Sequence, residues 1–163
     1  MAIKNLHDLF LHTLQDIYYA EKHILKALPK MIKAADSKPL ANAFSAHLEE
    51  TKEQIARLEQ TFKLLEEKPK ATQCPAIDGI LKEAEELMSE IKDADTRDAA
   101  MIAAAQAVEH YEITRYGTLI SWAGELDMAP AAKLLSQTLK EEYAADGKLT
   151  KLAESRLNKE AAE

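Results

Sequence analysis

The chain has 163 residues, a formal net charge of −7 and a single cysteine. This length fits one hydrophobic core, so we expect a single domain over residues 1–163. No run of lysines or arginines could follow a phosphate backbone, which argues against nucleic acid as a partner. No apolar run approaches the length of a membrane span, and no basic segment leads into an apolar one at the N-terminus. We therefore expect a cytoplasmic protein without a membrane partner.

Four long segments repeat apolar residues at three- and four-residue intervals, the period of an amphipathic α-helix. Only four glycines and five prolines interrupt a sequence rich in Ala, Leu, Glu and Lys, so an all-α fold is expected. Asn5-x-x-Asp8 is a start signal for the first helix, and Pro29 is expected to kink that helix or end it early. The four predicted helices, A to D, cover residues 6–32, 39–68, 95–123 and 130 towards the C-terminus.

The connection between helices B and C, residues 69–95, is long for two neighbouring antiparallel helices. An amphipathic segment at residues 80–91 predicts a short extra helix within it. Cys74 lies in the same crossover and cannot form an intramolecular disulfide. We expect it to be a free surface thiol.

The chain also contains an internal repeat. Shifting it by 91 positions pairs ten identical residues over 15–58, where composition alone gives about three. Among the pairs are Glu21 with Glu112 and Glu50 with Glu141. Two related hairpins joined by a long B–C crossover predict a ferritin-like four-helix bundle with up-down-down-up topology. The main alternative is a simple up-and-down bundle.

Acidic residues occupy positions where the helical period calls for apolar ones, and glutamate is seldom buried there unpaired. On helix D the repeat favours Glu141, whereas the apolar stripe favours Glu142 and Asp146, and we follow the stripe because inward direction decides ligation. Buried carboxylates repel one another, and a pair of divalent metal ions, iron first and manganese second, would neutralise them. The predicted metal ligands are Glu21, Glu50, Glu109, Glu112, Glu142 and Asp146.

Two polar residues accompany Glu50 on helix B at three- and four-residue spacing, His47 and Gln54. A histidine on a helix face is more often a packed or hydrogen-bonding group than a ligand, so we expect His47 to neighbour the site. Tyr116 is assigned to core packing. The alternative for each acid is that it reaches solvent or pairs with Lys22, Arg115 or Lys148.

The segments 47–51, 103–112 and 139–142 closely resemble the YciF-like stress proteins, a branch of the ferritin-like superfamily. The resemblance covers almost the whole chain. It implies a bacterial, cytoplasmic, dimeric bundle associated with stress, with a rubrerythrin-like place for two metals. By the same resemblance the helix-A acid is Glu21, the helix-B acid Glu50, the helix-C acids Glu109 and Glu112, and the helix-D acid Glu142.

One departure affects the metal. Many di-iron bundles carry Glu-x-x-His on helices B and D, but here Glu53 follows Glu50 and Ala145 follows Glu142. A site rich in carboxylates and poor in nitrogen favours manganese, iron or magnesium over softer metals.

Two functions are consistent with this sequence. The first is a di-metal oxidoreductase that reacts with dioxygen or peroxide, with Glu50 and Glu142 bridging the ions and Glu21 and Glu112 capping them. The second is a non-enzymatic structural or interaction dimer whose metal site has decayed. With no separate fifth helix of the cage-forming kind, we expect a small oligomer, a homodimer.

Overall fold

Five α-helices make up most of the chain, for which a computed structural model describes residues 3–163. No strand occurs in this part of the chain. After the fifth helix come a π-helical turn, Ala153–Leu157, and a short sixth helix, α6, Asn158–Glu160. The five longer helices are α1 Leu6–Ala34, α2 Lys38–Leu64, α3 Pro75–Glu90, α4 Ala94–Glu125 and α5 Ala129–Leu152.

The helices begin where local chemistry favours a start. The Asn5 side chain accepts a hydrogen bond from the Asp8 amide at 2.8 Å, and Asp93 accepts one from the Thr96 amide at 2.8 Å. The other three long helices have proline in the first turn, where a missing amide hydrogen costs nothing. The predicted starts of helices A, B and D are therefore confirmed to within one or two residues.

Three helix boundaries differ from the prediction, the first being the end of α2 at Leu64 and not at residue 68. Helix α1 continues past Pro29 to Ala34, so the early end was wrong: tertiary packing on α2 and α4 compensates for the hydrogen bond that proline cannot donate. Helix α3 begins at Pro75 and not at residue 80, because a proline read as loop in fact opens the helix.

The topology follows from contacts between the helices. Arg97, near the start of α4, donates to the carbonyl of Ala34 at the end of α1, while Tyr116 further along α4 donates to Glu21 in the middle of α1. These two helices are therefore antiparallel neighbours. Arg57 with Thr138 and Gln54 with Glu141 likewise make α2 and α5 antiparallel neighbours.

Since the two hairpins are also antiparallel within themselves, the order is up-down-down-up. The ferritin-like four-helix bundle is confirmed, and the simple up-and-down alternative is wrong because it would separate α1 from α4. Helix α3, in the crossover, packs on α4 and α1. Among residues 3–163, no helix combines the length and hydrophobicity that a membrane crossing needs.

Cys74 is buried and not at the surface, so that expectation was wrong. Its sulfur lies 3.1 Å from the hydroxyl of Tyr111, which donates to Asp16 at 3.2 Å. The residue immediately precedes α3, where packing on the bundle covers a small apolar side chain.

Candidate metal centre

Four side chains from three helices converge in the middle of the bundle. His47 of α2, Glu109 and Glu112 of α4, and Glu142 of α5 each place one possible ligand atom within 4.8 Å of the other three. All four side chains are buried. Glu21 of α1 is fully buried beside them, so each of the four bundle helices contributes to one polar cluster.

Helical spacing explains why these residues meet. Glu109 and Glu112 are three residues apart and share the inner face of α4. His47 lies three residues after the buried Phe44 and four before the buried Thr51, so the apolar stripe of α2 carries it inward. Glu142 follows the buried Thr138 by four residues on α5.

The cluster leaves many polar atoms without a partner. Six carboxylate oxygens have no hydrogen-bond partner among the described residues, although solvent does not reach them. An unsatisfied buried oxygen is costly, more so when it carries charge. The six are Oε2 of Glu21, Oε2 of Glu109, and both oxygens of Glu112 and Glu142.

Burial also shifts the pKa of each group. Desolvation raises the pKa of Glu109 to about 8, and it raises the pKa values of Glu21, Glu112 and Glu142 well above the usual range, with the neighbouring carboxylates adding to the effect. Desolvation lowers the pKa of His47 to about 4, and the positive charge of Lys148 adds to this shift. His47 is therefore a neutral imidazole at physiological pH, the form that binds metals.

Tyr116 does more than the core packing assigned to it. Its hydroxyl donates a short hydrogen bond to Oε1 of Glu21, and both residues are fully buried. This contact orients Glu21 and leaves its other oxygen free. The sequence signal was weak, because a tyrosine at helical spacing is usually core.

Two of the predicted ligands lie outside the cluster. The Glu50 side chain is 38 % exposed, and its Oε2 is 3.9 Å from His47 Nδ1 at the rim of the site. Asp146, one turn beyond Glu142, accepts a hydrogen bond from Gln106 at 3.0 Å and lies 3.3 Å from His110 Nε2. Its short side chain meets α4 on the flank of the bundle instead of the centre.

Glu141 is held in an ion pair. Both of its oxygens accept from the guanidinium of Arg57, at 2.6 and 2.7 Å. Gln54 donates to the same carboxylate at 3.2 Å, and Arg57 also donates to Thr138. Gln54 therefore forms a hydrogen bond beside the site, while Glu142, and not Glu141, lies in the cluster.

The residues at the centre fit a divalent cation. Ionised carboxylates and a neutral imidazole are ligands for such ions, and the oxygens without a partner are available to bind one once they lose their protons. A four-helix bundle of this topology, with an acid or histidine from every bundle helix at its centre, defines a ferritin-like protein. The chain belongs to the family described as a domain of unknown function (DUF892), whose model matches residues 5–162.

Similar proteins extend over the whole chain. Protein YciF of Escherichia coli (strain K12) is 47 % identical over 162 residues, covering 99 % of this chain and 98 % of that protein. The crystal structure of the E. coli stress protein YciF has a TM-score of 0.92 and 47 % identity, covering 96 % of this chain and 99 % of that one. The resemblance to YciF-like proteins is thus confirmed.

Two further structures are similar. YcfI from Rhodopseudomonas palustris, whose description suggests a structural role, is 55 % identical with a TM-score of 0.90, covering 91 % of this chain and 94 % of that one. A protein from Xanthomonas campestris is 20 % identical with a TM-score of 0.72, covering 92 % of this chain and 91 % of that one, and shows the fold alone.

Proposed function

We propose that this protein binds two divalent metal ions, iron or manganese, in the buried cluster, and that it reacts with dioxygen or peroxide under stress. The observation that carries the proposal is the set of six buried carboxylate oxygens without a hydrogen-bond partner. The link to stress comes from the description of the E. coli relative.

Charge balance supports two ions over one. Glu21, Glu109, Glu112 and Glu142 carry four negative charges when ionised, which two divalent cations neutralise. A single ion would leave two carboxylates that must stay protonated or repel each other. His47 Nε2 faces Glu109 Oε1 at 3.5 Å, so the imidazole supplies the one nitrogen of the set.

The donor set favours iron or manganese. Carboxylate oxygens suit hard divalent ions, and a single imidazole nitrogen adds affinity for iron. Iron bound here would supply one electron from each ion, as in the oxidations carried out by ferritin-like proteins. Asp146 remains a proposed ligand that would need side-chain rotation to reach the centre. Glu50, at the rim, would contact the ions only outside the cluster.

The chain's own residues would prepare the site. The Tyr116 hydroxyl fixes one oxygen of Glu21, which leaves the other directed to a ligand. The Arg57–Glu141 pair keeps a fifth carboxylate out of the cluster. Phe44, Ala105 and Val108 supply apolar lining to a cavity at the edge of the cluster.

The direct test is elemental analysis of protein purified from its native host without chelators or affinity tags. We expect about two iron or manganese ions per chain, from the charge balance of the buried carboxylates. Glu112→Gln removes one charge from the centre and should lower the metal content, whereas the matched variant Glu125→Gln, at the end of the same helix, should not. Metal that stays far below one ion per chain after reconstitution would refute the proposal.

Reaction with peroxide is tested separately. Each peroxide that oxidises two ferrous ions takes up two protons and yields two waters. Anaerobic ferrous protein should therefore consume one peroxide per two irons, measured by ferric absorbance and residual peroxide. Oxidation no faster than that of free ferrous ion in the same buffer would limit the function to metal binding.

The second candidate is a non-enzymatic structural dimer. The description of the R. palustris relative and the missing Glu-x-x-His pattern favour it. It predicts a dimer in sedimentation experiments and a thermal unfolding midpoint that iron, manganese and chelators leave unchanged. A large shift with one metal would count against it.

A further inference from the structure

The internal repeat relates two groups of polar residues that flank the cluster and differ in their contacts. Shifting by 91 positions pairs Arg57 with Lys148, Glu50 with Glu141, and His47 with Thr138. Because α2 and α5 are antiparallel neighbours, one trio of these residues lies on each side of the cluster. We call Arg57, Thr138 and Glu141 the clamped side, and Lys148, His47 and Glu50 the open side.

The clamped side holds a bidentate ion pair. Arg57 binds both oxygens of Glu141 and also donates to Thr138. Such a bidentate pair between a planar guanidinium and a carboxylate fixes both side chains. Gln54, fully buried, donates to the same carboxylate.

The open side has the same charges without the clamp. No carboxylate in residues 3–163 lies within 4 Å of the exposed Lys148 ammonium. The nearest basic nitrogen to Glu50 is His47 Nδ1, at 3.9 Å, beyond hydrogen-bond distance. His47 Nδ1 is itself buried and has no partner among the described residues, so a buried nitrogen faces a movable carboxylate.

A cavity joins the open side to the cluster. It has a volume of about 30 Å³, enough for a water molecule, and both Glu50 and Lys148 line it together with His47 and Glu109. His47 and Glu109 also belong to the cluster, so this cavity reaches one edge of it. Arg57 and Glu141 do not line this cavity.

We propose that divalent metal ions reach the cluster only through the open side, where Glu50 and His47 Nδ1 form an outer, transient binding site. The inference rests on the proposed function, since it concerns the path to that centre. Glu50 would first bind the hydrated cation and then release it towards Glu109. A lysine suits this position because its single flexible ammonium can move aside, whereas a guanidinium fork would lock Glu50 as Arg57 locks Glu141.

The test measures binding kinetics and needs no turnover. Metal-free protein is mixed with Co²⁺ in a stopped-flow instrument, and visible absorbance gives the association rate, while chelator competition gives dissociation and Kd. Glu50→Gln should slow association and dissociation together by about tenfold, because an ionised group at the opening concentrates cations. Kd should change little, since the outer site is left empty at equilibrium.

Two further variants sharpen the test. Lys148→Arg should slow both rates by creating a second clamp, whereas Lys151→Arg, exposed on the next turn, should not. Glu49→Gln removes the same charge as Glu50→Gln from an exposed residue that pairs with Lys52 at 2.7 Å. Its rates should match those of the unaltered protein.

Three results would overturn the inference. If Glu50→Gln raises Kd about 10- to 100-fold with association unchanged, Glu50 is a ligand of the bound ions and not a gate. Unchanged rates in both Glu50→Gln and Lys148→Arg would place the path elsewhere. If the unaltered protein binds no Co²⁺, Fe²⁺ or Mn²⁺, the proposed function itself fails, which is a different outcome from metal binding with unaltered rates.

Discussion

The hydrogen bond from Tyr116 to Glu21 is the most deeply buried polar contact of the site. Tyr116→Phe leaves a glutamate oxygen in the core without its donor, and we expect it to cost about 1–3 kcal/mol of unfolding free energy. The check is urea unfolding of metal-free protein. Tyr18→Phe is the matched control, because Tyr18 donates to the exposed Glu59 at 2.8 Å and its loss should cost less. Equal costs for the two variants would contradict the special role of the Tyr116 contact.

The buried glutamates give the metal-free protein an unusual dependence on pH. The unfolded chain ionises its glutamates near pH 4.5, but Glu109 in the folded protein has a pKa of about 8. The folded state therefore binds more protons, and stability is lost as pH rises towards 8. From pH 7 to 8.5 we expect Glu109 alone to account for a loss of about 1 kcal/mol and the other three buried glutamates to add to it, measured by urea unfolding with chelator present.

Between pH 7 and 8.5 the change in stability reports on the buried carboxylates and not on His47. The pKa of His47 is lowered to about 4, so its contribution to stability is lost as pH falls below 6.5 and it adds little slope above pH 7. Glu109→Gln should reduce the slope between pH 7 and 8.5 without removing it, because the other three glutamates remain. A metal-free protein that gains stability over this range would contradict the raised pKa values.

The sequence predicted the residues at the centre of the metal site better than those at its rim. The apolar stripe chose Glu142 over Glu141 as the inward acid of α5, and the structure places Glu142 in the cluster and Glu141 in the ion pair with Arg57. The apolar stripe could not predict that Glu50 would lie at the rim. Consecutive residues of a helix are about 100° apart, so a side chain at the edge of the stripe can turn either towards the centre or towards solvent. His47 was predicted only to neighbour the site, although it occupies the same stripe as Phe44 and Thr51 and lies in the cluster.

At the scale of elements, a buried carboxylate ties the two hairpins together. Asp98 of α4 accepts from the amides of Asp36 and Ser37, at 3.0 and 2.7 Å, and so satisfies the turn between α1 and α2. Asp98→Ala should cost about 2–3 kcal/mol, because two backbone amides of the turn lose an acceptor that is itself buried. Asp93→Ala removes only the exposed cap of α4 and should cost about 1 kcal/mol. Chemical denaturation measures the unfolding free energy of both variants. Similar losses would contradict the role of Asp98 in joining the two hairpins.

The elements themselves were largely predictable from apolar period and capping residues. The errors involve proline, which the sequence analysis treated as an interruption at Pro29 and as loop at Pro75. In the structure α1 runs through the first and α3 begins at the second. A proline's effect depends on whether neighbouring helices compensate for the missing amide hydrogen, which the local sequence does not reveal.

At the scale of the molecule, metal ions in the cluster would join all four bundle helices. A ligand at 100 times its Kd adds about 2.7 kcal/mol to stability, which corresponds to roughly 5–10 °C in Tm for a chain of this size. We expect Mn²⁺ to raise the Tm of metal-free protein by that amount in differential scanning calorimetry. Glu142→Gln should remove most of the shift, whereas Glu154→Gln should preserve it.

The internal repeat has a consequence for how this site can evolve. If two identical hairpins assembled around a centre, every substitution would appear twice and the two openings would always be alike. Joining both hairpins in one chain frees each wall to change alone, which is why one side can carry arginine and the other lysine at matching positions. Fusion of the repeats thus permits metal ions to enter the site from one side only, which a symmetric pair of identical hairpins would not allow.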